Sequence, residues 1–217
     1  MDKVLNRKLL AAGMLLAALS ACSSRKGEVD ETGGIVQVRS ACPTAAIPAY
    51  TGDITLFNPA GSSDSRAIDV VGVISSLRST CNDSGAQLYT NATFTVTATR
   101  RDTSGAREVL LPYFATVVRG SNVVVAKRIG QARLNFAPGQ ARASVTASAG
   151  SYVDKSVATL PPDIQELITR KRKAGDADAA IDPLSRPEVR AAIARTSFEL
   201  LVGFNLSQDQ LRYNATR

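Results

Sequence analysis

Between Asn91 and Thr99 apolar and polar residues alternate strictly: Ala92, Phe94, Val96 and Ala98 fall on one side of an extended backbone, and Thr93, Thr95, Thr97 and Thr99 on the other. A period of two belongs to a β-strand with one face in a core and one in water. Residues 141–149 repeat it, setting Ala141, Ala143, Val145, Ala147 and Ala149 against Arg142, Ser144, Thr146 and Ser148. Both stretches predict strands of an antiparallel sheet with a solvated outer face.

Between them lie two apolar runs, 108–118 and 122–136, which flank the turn-like Arg119-Gly120-Ser121 and predict a hairpin. In the second run the apolar phase passes through Val123 and Val125 and later through Ala132, Leu134 and Phe136, a change of parity that predicts a bulge near Gly130. Pro112 has no N–H to give a ladder, so its strand is expected at an edge or interrupted there. Runs at 34–40, 52–57 and 67–79 bring the total to about seven strands, the number of an antiparallel sandwich of the immunoglobulin or fibronectin-III type. A small β-barrel is the competing architecture.

After Leu160 the period changes. Residues 161–175 open on Pro161 and Pro162, carry Asp163 and Glu166 early and Arg170, Lys171, Arg172 and Lys173 late, and stop near Gly175, a sign order that complements a helix dipole. Residues 185–204 predict a second helix. Ser185-Arg186-Pro187-Glu188 reads as a capping box, and Val189, Ile193, Thr196, Leu200 and Phe204 recur at helical spacing. Two C-terminal helices packed on the sandwich are the expectation, with one further turn in 207–217.

The amino terminus has another character. Lys3, Arg7 and Lys8 precede an apolar stretch from Leu9 to Leu19, the anatomy of a secretory signal. At about 1.5 Å per residue this stretch reaches roughly half-way across a hydrocarbon layer about 30 Å thick, too short for a spanning helix. Leu19-Ser20-Ala21-Cys22 then resembles the lipobox of bacterial lipoproteins, and the body is similar to small periplasm-facing lipoproteins of alphaproteobacteria. The resemblance implies cleavage before Cys22, lipid on its sulfur and an acylated new amine. Each buried methylene contributes about 0.8 kcal/mol, and more than one acyl chain makes such anchoring durable. By the family's sorting rule Ser23 implies the outer membrane, facing the periplasm, with the periplasmic side of the inner membrane as the alternative.

That assignment divides the chain into a signal peptide (1–21), a lipidated amino terminus and polar tether (22–34), a β-sandwich (35–158) and a helical appendage (159–217). It also leaves Cys42 and Cys81. In an oxidising compartment they are expected to form a disulfide, the alternative being two separate thiols.

Charge and composition narrow the function classes. Removing 1–21 takes three basic residues and one acidic from the 26 and 19 of the whole chain, leaving 23 against 18, or +5. That mild excess points to no nucleic-acid partner. There is no histidine in the chain, which excludes histidine-dependent triads and the usual zinc sites. Ser23 and Lys26 have the Ser-x-x-Lys spacing of some acyl-serine enzymes but lie in a tether. Asp176, Asp178 and Asp182 offer oxygen ligands, yet the glycine and distant glutamate of a calcium loop are missing. No catalytic residue, metal or cofactor is expected.

Arg170, Lys171, Arg172 and Lys173 are the candidate contact to an anionic surface, although they also serve as a solvated helix end. Tyr50, Tyr89, Tyr113 and Tyr152 are scattered among the strand regions and read as core or rim packing. The functional expectation is a non-enzymatic adaptor, held at a membrane by Cys22 and binding other envelope proteins. A periplasmic module for a small ligand or polysaccharide, and a hydrolase using carboxylates, are the alternatives.

Overall fold

The computed structural model describes residues 40–170, 175–176 and 181–217. Within these, Ser40–Gln165 and Asp182–Arg217 form one compact unit. Its strands are β1 (Thr44–Ala46), β2 (Asp53–Phe57), β3 (Ile68–Asn82), β4 (Gln87–Arg100), β5 (Arg107–Arg119), β6 (Val123–Phe136), β7 (Arg142–Asp154) and β8 (Phe198–Phe204). The helices of the described residues are α1 (Lys155–Ala158), α2 (Pro162–Thr169), α3 (Pro187–Thr196) and α4 (Gln208–Thr216).

The strands make two four-stranded sheets, β1-β8-β5-β6 and β2-β3-β4-β7, a sandwich-like arrangement with no closed barrel ladder among the described residues. All pairings are antiparallel except β1 with β8, which is parallel. The architecture is mainly β, as expected, but with eight described strands rather than seven and a mixed sheet. The predicted strand at 34–40 lies almost wholly outside the described residues.

The alternating positions are where the core forms. In β4, Leu88, Ala92, Phe94, Val96 and Ala98 are buried, and across the ladder Phe94 faces Ala147 and Val96 faces Val145. A bulky side chain beside a small one lets the facing sheet interdigitate. Its side chains Leu111, Leu134, Leu200, Val202 and Phe204 are buried in the same cluster. Each such large side chain contributes about 1.5–3 kcal/mol through removal from water.

Residues 198–204 are a strand, which corrects the helix expected there. α3 ends at Thr196, where the Thr196 hydroxyl donates to Ala192 O at 3.0 Å and the Ser197 hydroxyl to Ile193 O at 2.6 Å. Phe198, Leu200, Val202 and Phe204 then alternate inward. The misleading signal was the recurrence Thr196, Leu200, Phe204: a spacing of four is one helical face, and being even, it is also one strand face. The capping box is corrected too. Arg186 is the cap residue and its side chain does not cap the helix, while the Ser185 hydroxyl donates to Asp182 O.

Two further expectations change. The β5–β6 ladder runs regularly through Gly130, opposite Tyr113, and its register shift lies nearer the hairpin turn, where Val117 faces Ala126 and Val118 faces Val124. Val125 is therefore the extra residue. Pro112 sits in an interior strand, not at an edge. Its carbonyl accepts from Asn205 N just past the end of β8, and the β8 ladder begins at Tyr113, so the missing N–H falls where pairing has stopped.

The last residues form a nine-residue helix rather than a single turn. Ser207 and Gln210 make its capping box, and the Asn214 amide donates to Tyr50 O and Asp53 O, both at 2.9 Å, which docks α4 beside β2. Phe57 and Tyr213 meet edge to face at 5.1 Å.

Candidate functional site

The sites marked by sequence fall in different places. Cys22, and the Ser23 and Lys26 pair, lie outside the described residues. Cys42 and Cys81 are disulfide-bonded, with Cα atoms 6.1 Å apart. Cys42 stands just before β1 and Cys81 near the end of β3, so the bond ties one sheet to the other. Arg170 follows the last residue of α2, whereas Lys171, Arg172 and Lys173 lie outside the described residues. Of the three aspartates, Asp178 lies outside them, and Asp182 accepts from Leu184 N at 2.9 Å, so its carboxylate caps a 3-10 turn. Among the described residues no group of three or more Cys, Asp or Glu is placed to hold a metal ion.

The tyrosines do not act alike. Tyr113 is half-buried, meets Phe94 edge to face at 5.2 Å and donates its hydroxyl to Ser148 O at 3.2 Å. Tyr89 and Tyr152 face one another across β4 and β7 with ring centroids 4.7 Å apart, and both are exposed. They stand on a sheet face whose other side chains include Asn91, Thr93, Thr95, Ser144, Thr146 and Ser148. Rim packing holds for Tyr113 but is replaced at Tyr89 and Tyr152 by an exposed pair.

The feature with the clearest capacity to bind lies on β6. Among the described residues this strand is the last of its sheet and pairs with β5 alone. Its first half is apolar yet exposed: Val123 is 45% exposed, Val124 62%, Val125 55% and Ile129 54%. Its second half returns to order, with Ala132, Leu134 and Phe136 buried. Two constraints hold the exposed half in place. At the hairpin turn Gly120 has φ of 60° and donates its N–H to Ser197 O at 3.0 Å; a side chain there would come within 2.9 Å of Ala194 O. At Gly130 the Tyr113 ring crosses the strand so closely that an added Cβ would sit 2.4 Å from its Cζ.

The ladder assigns each β6 side chain to a face. Lys127 and Ile129 pair with Thr116 and Phe114 on the outer face, and the Lys127 ammonium lies 5.4 Å from the Phe114 ring centroid. Arg128 pairs with Ala115, and Ala126 with Val117, on the inner face. Leu110, one ladder step beyond Pro112 on the outer face, is also exposed. The result is a strand edge bordered by apolar surface and carrying two cations.

The far end of β6 is fastened. Arg100, 4% exposed, continues the inward phase of β4. Its guanidinium donates to Gln140 O and Ala137 O, both at 2.8 Å, and lies 5.0 Å from the Phe136 ring centroid. Beside it Arg107 of β5 makes two hydrogen bonds, 2.7 and 2.6 Å, to Asp69 of β3. The hydrogen bond from Arg107 holds the Asp69 carboxyl below the usual aspartate range, against an opposing push from burial. Neither arginine was singled out by sequence, although Arg100 keeps the even phase of Ala92, Phe94, Val96 and Ala98.

No protein-family model matches the chain, nor does any curated protein or any solved structure.

Proposed function

We propose that the chain is a lipid-anchored, non-catalytic adaptor of a bacterial envelope, attached through Cys22 to the outer membrane and facing the periplasm, with the two-sheet unit presenting a docking surface to other envelope proteins. The observation that carries the reading is the exposed apolar run of β6, because a large apolar patch on a strand edge is surface that association can bury. We further place the fold with sandwiches of the immunoglobulin or fibronectin-III kind on its two packed sheets, the parallel β1–β8 pair being its departure from them.

The exposed Tyr89–Tyr152 pair favours a second reading, a polysaccharide-binding module, since aromatic rings beside hydroxyl and amide groups suit sugar rings. In-cell chemical crosslinking and pull-down separate the two. The adaptor reading expects defined protein crosslinks that disappear or change when Cys22→Ala releases the chain from the membrane. Labelled glycan retained with no protein crosslink would favour the second reading. A Cys22→Ala form that still fractionates with membranes, with no labelled lipid taken up by either form, would remove the anchor.

A further inference from the structure

We infer that the edge of β6, unpaired among the described residues, takes an extended segment of another envelope protein as a fifth strand of its sheet, and that this segment alternates apolar and acidic residues. The inference rests on the adaptor reading and names the chemistry of the partner.

The backbone argument comes first. A terminal strand offers unpaired N–H and C=O groups along one side, and an added strand satisfies them while alternate side chains set specificity. Sheet edges are commonly guarded by prolines, inward charges or bulges. In β6 the bulge at Val125 sits close to the turn, leaving Ala126–Gln131 in regular register with β5, and the one inward charge of that stretch, Arg128, guards it against any strand that does not supply an acidic partner. Gly120 and Tyr113 fasten this stretch at both ends, so little order has to be acquired on binding.

Side chains select the occupant. On the outer face an added strand would run beside Lys127 and Ile129, and an apolar residue opposite Ile129 would cover that exposed side chain, while Phe114 of β5 supports Ile129 from the other side of β6. On the inner face it would meet Arg128, with Ala126 on one side and on the other Gly130, whose inner face the Tyr113 ring covers. Among the described residues neither Lys127 nor Arg128 has a carboxylate within ion-pair distance, whereas Arg133 further along is paired with Glu108 at 2.7 Å. An acidic side chain opposite Arg128 supplies that partner, and like charges directly opposite one another oppose pairing. The same rule disfavours a second copy of this chain in the register where a twofold centred on Arg128 sets that side chain directly opposite its copy.

The test uses the full chain purified from cells in detergent, with three eight-residue peptides as probes: alternating Val and Glu, alternating Val and Lys, and the first peptide N-methylated at every residue, so that neither edge can donate. Fluorescence anisotropy is expected to show the Val/Glu peptide binding about tenfold or more tighter than the Val/Lys peptide, weakening as salt rises from about 50 to about 500 mM. N-methylation should abolish binding, and amide exchange should slow at residues 126–131. Lys127→Glu with Arg128→Glu should reverse the peptide preference without changing the unfolding midpoint. Equal binding of the acidic and basic peptides, retained binding after N-methylation, or self-association through β6 in sedimentation equilibrium overturns the inference. If no peptide binds while protein crosslinks persist in cells, this strand assignment falls and the adaptor reading stands.

Discussion

β4 and β6 are each fourteen residues long and rich in β-branched side chains, yet they stand at opposite extremes of burial. β4 lies between β3 and β7, and its inward residues are enclosed along its whole length. Among the described residues β6 has one neighbouring strand in its sheet, and its last third enters the core. The difference teaches that apolar content does not itself assign a residue to the interior. Strict alternation in β4 marks one wet and one dry face; the unbroken Val123-Val124-Val125-Ala126 of β6 marks apolar residues on both, which a single core cannot cover.

The largest effect separating the strands should come from truncation. Phe94→Ala removes a fully buried ring together with its edge contact to Tyr113, and is expected to cost about 3–5 kcal/mol in urea unfolding. Ile129→Ala on β6 should stay within about 0.5 kcal/mol, as for a surface substitution. Similar losses at the two sites would mean that β6 is covered in the native protein. Next in size is the disulfide. Replacing Cys42 and Cys81 together by serine opens a loop with a sequence separation of 39, and the chain-entropy model sets the loss at about 4 kcal/mol as an upper value. Because that bond joins the sheets on the side away from β6, the double variant should lower the unfolding midpoint while leaving amide exchange at residues 126–131 unchanged.

The same contrast explains what the chain disclosed before its structure was known. The β4 and β7 strands and the hairpin at Gly120 are legible because alternation and turn chemistry act locally; the disulfide, with a sequence separation of 39, is expected from the cysteine count once Cys22 is set aside. β8 is not legible in this way. Its inward Leu200 and Phe204 continue the helical stripe of Val189 and Ile193, and pairing with β5 on one side and β1 on the other decides in favour of a strand. The β6 edge is hidden for a related reason: the parity change from Val125 to Ala132 suggests a bulge at Gly130, whereas the valines lie outside the core on both faces and the bulge is at Val125 itself. Being an edge is a property of strand order, which no local pattern carries. The Arg100 clamp joins residues about forty apart and was equally hidden, apart from its place in the β4 phase.

A substitution within β6 locates the boundary between its two halves. Gly130→Ala would press a methyl group into the Tyr113 ring, which cannot swing aside without losing the Phe94 contact and the bond to Ser148 O. The expected cost is about 1–3 kcal/mol by overpacking. In a double-mutant cycle with Tyr113→Ala the added cost of the methyl group should vanish, because the clash and the ring go together. Additive losses would place the strain in the backbone instead.

The smallest effect concerns the fastening of the buried half of β6. Asp69 joins β3 to Arg107, and Arg107 lies opposite Phe136 at the end of β6. Its carboxyl is held below the ordinary aspartate range first by the Arg107 hydrogen bond. A depressed folded-state value means that the unfolded chain binds the proton more readily. The pair's contribution is therefore complete above the unfolded aspartate range and is lost as pH falls through the lower folded value. Arg107 is partly exposed, so solvent screening keeps the contribution to about 1 kcal/mol or less. Asp64 and Asp102 are also lowered, by hydrogen bonds involving Arg66 and Ser104 respectively, so the total acid dependence belongs to more than one group. The informative quantity is the difference between wild type and Asp69→Asn in urea unfolding. It should be present at pH 7 and shrink towards zero as acid protonates the wild-type carboxyl. A difference that persists in acid would show that Asn disturbs the strand itself, and that the β3–β5 ion pair does not fasten this end of β6.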